Sequence, residues 1–142
     1  HRVIDHRQPF APQIAALGVP PVDYAVSLTH TDRHFAQLVE ALAPQGKLAL
    51  IDDPEPIDVR LMKRKSLSLH WELMFTRSLF QTDDMAAQHR LLDALAGLVD
   101  QGAIRSTAQT KRGPICAANL RTAHALLESG KAVGKIVLAG FA

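Results

Sequence analysis

Two short apolar runs, Val22 to Leu28 and Lys47 to Ile51, constrain this chain more than any other feature. Each is closed by turn formers, Thr29-His30-Thr31-Asp32 after the first and Asp52-Asp53-Pro54 after the second. Compact runs of this kind suit strands buried on both faces of a sheet. Between them Phe35, Leu38, Val39 and Leu42 recur at helical spacing. Thr31 or Asp32 is the expected N-cap, and Pro44 and Gly46 are expected to end the helix. Upstream, Arg2 to Asp5 reads as the end of a short strand. Pro9 and Pro12 suit a helix entry, Ile14, Ala15 and Leu17 give its apolar stripe, and Gly18 its C-cap. Strand alternating with helix through short turns predicts an α/β fold, with a parallel sheet and right-handed crossovers.

Past Asp53 the pattern changes. Pro56 to Arg64 reads as a connector. From Ser66 to Phe75 the residues Leu67, Leu69, Trp71, Leu73 and Phe75 alternate with Ser66, Ser68, His70, Glu72 and Met74. Period two with one mostly polar face predicts a half-exposed strand at a sheet edge, which must be paired or covered. Thr82-Asp83-Asp84 is expected to cap the longest helix, running to about Gln101. Its inner face would be Met85, His89, Leu92, Leu95, Ala96 and Val99, with Gly102 as its stop. Ala103 to Thr107 is expected as a short strand, and Asn119 as the cap of a last helix from Leu120 to Ser129.

Composition excludes several classes. A formal charge of +2 is too small to imply a nucleic-acid or membrane partner. The aromatic content, 5%, gives little material for base stacking. No apolar run approaches the roughly 20 residues that span a bilayer. Cys116 is the only cysteine, so neither an intrachain disulfide nor a Cys-based structural zinc site is available. A reducing compartment fits, and cytoplasmic residence is the expectation.

The C-terminal stretch Ala123-His124-Ala125-Leu126-Leu127-Glu128-Ser129-Gly130-Lys131, followed by Gly134-Lys135-Ile136-Val137-Leu138, resembles the C-terminal signature of the medium-chain dehydrogenase/reductase superfamily, in its quinone oxidoreductase and zinc-type alcohol dehydrogenase-like branch. Val22-Asp23-Tyr24-Ala25-Val26 resembles the fourth strand of that superfamily's dinucleotide-binding fold, Gly46-Lys47-Leu48-Ala49-Leu50-Ile51 the fifth, and Ser66 to Phe75 the sixth. The resemblance implies the second half of a Rossmann-type domain over residues 1–80, with His1 to Gln8 as the third strand and its turn. Residues 81–142 would form a segment returning to a catalytic, GroES-like domain. The Gly-rich turn that holds the cofactor pyrophosphate has no counterpart here. The chain therefore reads as the C-terminal portion of a longer oxidoreductase, inactive by itself. Strands three and four of the full fold are separated by strands one and two. The open side of strand four would be filled by the first strand, by a second molecule, or by the rest of a longer protein.

Leu28, Thr29 and His30 lie at the carboxyl end of a buried strand, where open α/β sheets bind ligands. The resemblance implies that this turn touches a cofactor ribose; the plainer reading is a capping turn. Asp52 and Asp53 are adjacent, so their side chains diverge rather than converge as a catalytic dyad. They read as a turn with Pro54, while the backbone of Ile51 and Asp52 would contact the nicotinamide, as the resemblance implies. Leu73, Met74 and Phe75 would hold the carboxamide through main-chain groups, with core packing as the other role of Leu73 and Phe75. The resemblance also sets Lys135 against the cofactor phosphates; the alternative is a solvated lysine.

His30 and His34 have the i, i+4 spacing of metal ligands, but no third ligand is evident nearby. Lys63-Arg64-Lys65 reads as a solvated loop. No spacing suggests a nucleophile elbow or triad, so no catalytic residue and no metal ligand is assigned. The implied parent function is hydride transfer between NADPH, or NADH, and a carbonyl or quinone, with no zinc in this chain. A homodimer through the Ser66–Phe75 edge strand is expected. The other reading is a stand-alone small α/β binding or dimerisation module.

Overall fold

The computed structural model describes residues 2–141, and for 109–111 the backbone alone. The chain divides into two compact units, one ending at Thr82 and the other beginning at Asp83. No helix among the described residues is long and apolar enough to cross a membrane.

The first unit is α/β. Helix α1 (Phe10–Ala16) precedes β1 (Val22–Ser27), α2 (Thr31–Ala41), β2 (Leu42–Leu50), a 3-10 helix (Val59–Lys65), β3 (Ser68–Trp71) and a short α3 (Thr76–Leu79). The three strands form one parallel sheet in the order β1-β2-β3. This is the expected α/β arrangement. Phe35 and Val39 of α2, Leu42, Leu48 and Leu50 of β2, and Met62 of the 3-10 helix make its core, with Ala25 and Leu69 packed against it. One face of the sheet therefore carries the core. On the other, Tyr24 and Val26 are exposed.

Residues 2–5 form no strand; His1 lies outside the described residues. At the end of this segment the N–H and carbonyl of Asp5 are both taken by the Gln13 side chain. Its side-chain oxygen accepts from the Asp5 N–H at 2.8 Å, and its amide donates to the carbonyls of Asp5 and Pro9, both at 2.9 Å. Gly18 follows α1 at φ 68°, the left-handed conformation that suits a helix end.

Helix α2 stops at Ala41, before Pro44 and Gly46, because Leu42 already has extended backbone, ψ 141°. Val22 pairs with Leu42 but Tyr24 pairs with Lys47, so residues 43–46 of β2 bulge opposite Asp23 alone. Gly46 is the condition for that bulge. A Cβ there would lie 2.9 Å from the Ala43 carbonyl oxygen and 3.1 Å from that of Asp23, and neither backbone atom yields easily.

β3 is shorter than Ser66–Phe75. Ser66 is left-handed (φ 51°) as it ends the 3-10 helix, which delays the strand. After Trp71 the chain turns: the Thr76 N–H bonds the Leu73 carbonyl at 3.0 Å, and Phe75 has near-helical backbone. Leu73, Met74 and Phe75 are thus outside the strand.

The second unit holds α4 (Ala87–Asp100), β4 (Ala108–Lys111), α5 (Ala117–Glu128) and β5 (Lys135–Val137), with β4 and β5 paired in parallel. Helix α4 starts at Ala87 rather than at Thr82–Asp84, and none of its residues is buried. Met85, His89, Leu92, Leu95, Ala96 and Val99 are all exposed, so the expected inner face is an apolar stripe without cover inside this unit. The strand lies at Ala108–Lys111 and not at Ala103–Thr107. Asn119 sits inside α5, whose N-cap is Cys116, and its amide donates to the Pro114 carbonyl at 2.8 Å.

Candidate functional site

A parallel sheet sends the carboxyl ends of its strands to one edge. Ser27, Leu50 and Trp71 stand in register there. The ladder runs slightly further, with the Ile51 N–H on the Ser27 carbonyl (3.3 Å) and the Glu72 N–H on the Leu50 carbonyl (3.0 Å). Leu28–His30, Ile51–Asp52 and Leu73–Phe75 therefore leave the sheet at the same edge, the place where open α/β sheets take ligands. Leu28, Ile51, Leu73, Met74 and Phe75 are 48% to 63% exposed, which makes an apolar rim. Core packing by Leu73 and Phe75 is thereby corrected: the chain has turned out of the sheet before reaching them.

The charged and hydroxyl groups at this edge are organised around α2. Its N-terminal residue, Thr31, is fully buried and Ser27 nearly so. The Thr31 N–H donates to Asp52 Oδ2 at 3.0 Å, and the Thr31 hydroxyl donates to Asp52 Oδ1. The hydroxyls of Ser27 and Thr31 are 2.6 Å apart. Neither Thr31 nor Asp32 is the N-cap. The capping position is His30, in the left-handed region at φ 53° and ψ 38°, with no side-chain cap bond. Asp52, distant in sequence, supplies the missing acceptor and places its negative charge at the positive end of the helix. The reading of Asp52 as part of a turn with Pro54 did not include this contact, in which its carboxylate acts across the fold.

The Thr31 hydroxyl first, and then the Thr31 N–H, hold the Asp52 carboxyl below the usual carboxylate range. A carboxylate with a lower pKa folded than unfolded adds stability above its unfolded pKa, near 4. That increment is lost as pH falls through the folded pKa. Asp52→Asn is therefore expected to lower Tm at pH 7 and to flatten the fall of Tm on acidification below about pH 4. Thermal melts followed by circular dichroism from pH 7 to pH 3 check this; parallel curves for the two proteins would contradict it.

The other end of α2 corrects the solvated-loop reading of Lys63-Arg64-Lys65. Lys65 is half-buried, and its ammonium donates to the carbonyls of Val39, Glu40 and Leu42 at 3.0, 2.7 and 2.6 Å. The Val39 and Glu40 carbonyls are among those a helix end leaves unpaired, and the Leu42 carbonyl belongs to the first residue of β2.

His34 packs its ring against Phe10 and His6, with centroids 5.4 and 5.6 Å away, while His30 is exposed. Lys135 belongs to the second unit. It opens β5 with an exposed side chain, its N–H on the Thr107 carbonyl at 2.6 Å. Among the described residues no three His, Cys, Asp or Glu side chains converge as a metal site requires.

The sequence reading missed the Ser27–Thr31–Asp52 cluster and the Lys65 clamp. Both join residues that are far apart in the chain and meet only once the parallel crossover has formed. A hydroxyl at the end of β1 and a carboxylate at the end of β2 were the available signals.

Comparison with known proteins fits this geometry. A family model described as zinc-binding dehydrogenase matches residues 1–138. A zinc-type alcohol dehydrogenase-like protein of Staphylococcus aureus is 28% identical over 137 residues, 96% of this chain and 41% of the relative. A crystal structure described as a zinc-dependent alcohol dehydrogenase from Rhizobium etli superposes with a TM-score of 0.90 at 51% identity, covering 100% of this chain and 42% of that one. A mycobacterial protein, Rv1454c, solved with NADPH, superposes with a TM-score of 0.71 at 25% identity, covering 94% of this chain and 40% of that one. The chain thus spans about two fifths of the length of the relatives it matches.

Proposed function

This chain belongs to the zinc-binding dehydrogenase family, and we propose that its first unit is part of the nicotinamide-nucleotide site of an NAD(P)H-dependent oxidoreductase. One observation carries the reading. Three parallel strands end level at one edge, and the turns 28–30, 51–52 and 73–75 leave there together with an exposed apolar rim. An apolar rim suits the dihydronicotinamide and ribose end of the cofactor better than its pyrophosphate. The end of α2, already occupied by Asp52, gives no place to a phosphate. NADPH is favoured over NADH, with the NADPH complex of the mycobacterial relative as support.

The bound cofactor would supply the hydride for a carbonyl or quinone substrate, while these residues bind and orient it. Residues 1–80 would be the Rossmann portion and 81–142 a segment of the catalytic domain. Cytoplasmic residence belongs to the same reading. The described residues do not offer a zinc site, so no step is assigned to zinc here. The edge strand β3 is proposed to pair with its counterpart in a homodimer; light scattering giving a monomer mass would contradict that pairing.

The test is titration of the complete natural polypeptide with NADPH and NADH, followed by nicotinamide fluorescence, and turnover with aldehydes and quinones. Saturable binding is expected, with NADPH the tighter ligand. Absence of binding to both would favour a non-catalytic binding or dimerisation module.

A further inference from the structure

We propose that Asp52 is a positioning residue for the cofactor turn: by holding both donors of Thr31, it fixes the backbone of Leu28, Thr29 and His30 where the nicotinamide nucleotide docks. The inference rests on the function proposed above, and it concerns a role that side-chain contact with the cofactor would not give.

The turn is pinned at both ends. Ser27 closes β1 and Thr31 opens α2, and both are buried. The Thr31 hydroxyl has one proton, which goes to Asp52 Oδ1, so across the 2.6 Å separation Ser27 donates to Thr31. Asp52 Oδ2 takes the Thr31 N–H at 3.0 Å. Both carboxylate oxygens are thereby committed, and a directed chain runs from Ser27 through Thr31 to Asp52.

The exposed residues Leu28, Thr29 and His30 lie between these fixed points. His30 holds a left-handed backbone, which a non-glycine residue keeps only when its flanks over-determine it. Asp52 also leaves from the end of β2, beside Ile51, whose N–H is bonded to the Ser27 carbonyl. The carboxylate therefore ties two of the three turns at the strand edge to each other. Loss of either Thr31 bond would release the 28–30 turn while the strands remained paired.

The experiment measures the Kd and KM for NADPH in the complete natural polypeptide and in Asp52→Asn, Thr31→Val, the double variant and Thr31→Ser. Asp52→Asn and Thr31→Val are each expected to weaken NADPH binding by about tenfold, as a displaced positioning element does. The double variant should be no weaker than either single one, because both break the same connection. Thr31→Ser keeps both donors and should bind within about twofold of the parent. KM for NADPH should rise more than kcat falls. Should Asp52→Asn fail to fold, Ser27→Ala removes only the far donor and should give a smaller loss in the same direction. Parent protein that binds NADPH, with a folded Asp52→Asn binding it equally well, would overturn the positioning role and leave the proposed function standing. Parent protein that binds neither nucleotide would overturn both.

Discussion

Leu48→Ala is expected to destabilise the first unit by about 2–5 kcal/mol, the range for emptying a well-packed leucine site. Leu48 is fully buried in the central strand, in register with Ala25 of β1 and Leu69 of β3. It meets α2 residues across the core. The size of the effect follows from the smallness of that core: six buried residues form the cluster, so few neighbours can move to fill the gap. Domains of this size keep only about 5–15 kcal/mol of net stability, and one such cavity removes a large share of it. Urea unfolding followed by circular dichroism should show a lower midpoint with little change in slope. A shift below about 1 kcal/mol would mean that the site collapses freely.

Lys65→Met is the second large effect, with an expected loss of about 2–3 kcal/mol. Methionine keeps much of the apolar stem and removes the ammonium, so the loss reports the polar contact. Three carbonyls, two in the last turn of α2 and one at the start of β2, would lose their donor, and the negative end of the helix would lose a cation. Charge-assisted bonds of this kind exceed neutral ones, but one ammonium makes all three, so their contributions do not add. Lys65→Arg should recover only part, because a planar fork does not match three converging carbonyls. Hydrogen exchange should show the fastest new opening near Ala41. Unchanged thermal stability in Lys65→Met would contradict the clamp.

These two sites also mark where sequence reasoning succeeded and where it stopped. Leu48 was legible, because an unbroken apolar run in a βαβ alternation has one stable placement, the centre of a parallel sheet. The same reasoning placed Val22–Ser27 as a strand and the Phe35–Val39 face of α2 in the core, but its expectation that β1 is buried on both faces fails, because nothing covers the Tyr24–Val26 face of the sheet within this unit. Lys65 was not legible: within its own neighbourhood it is one of three adjacent basic residues, and its partners lie on another element. Asp52 shows the same limit, since local rules for helix caps look only at neighbouring residues. Period two carried the β3 reading too far, through Phe75, because alternation cannot register the left-handed Ser66 that delays the strand or the turn at Leu73 that ends it. The stripe on α4 was read correctly as apolar but not as exposed, since periodicity says which face seeks cover and not what covers it. At the site, the turns at 28–30 and 51–52 were legible from topology, while the turn at 73–75 was read as strand. What holds them in place was not legible.

The central claim is that the turns 28–30, 51–52 and 73–75 form one edge of a nicotinamide-nucleotide site. Hydrogen exchange with mass spectrometry, on the complete natural polypeptide with and without saturating NADPH, tests it most directly. The account predicts slower exchange in peptides covering those three turns, with little change in α4 and α5. Binding of NADPH with protection confined to other segments would contradict it.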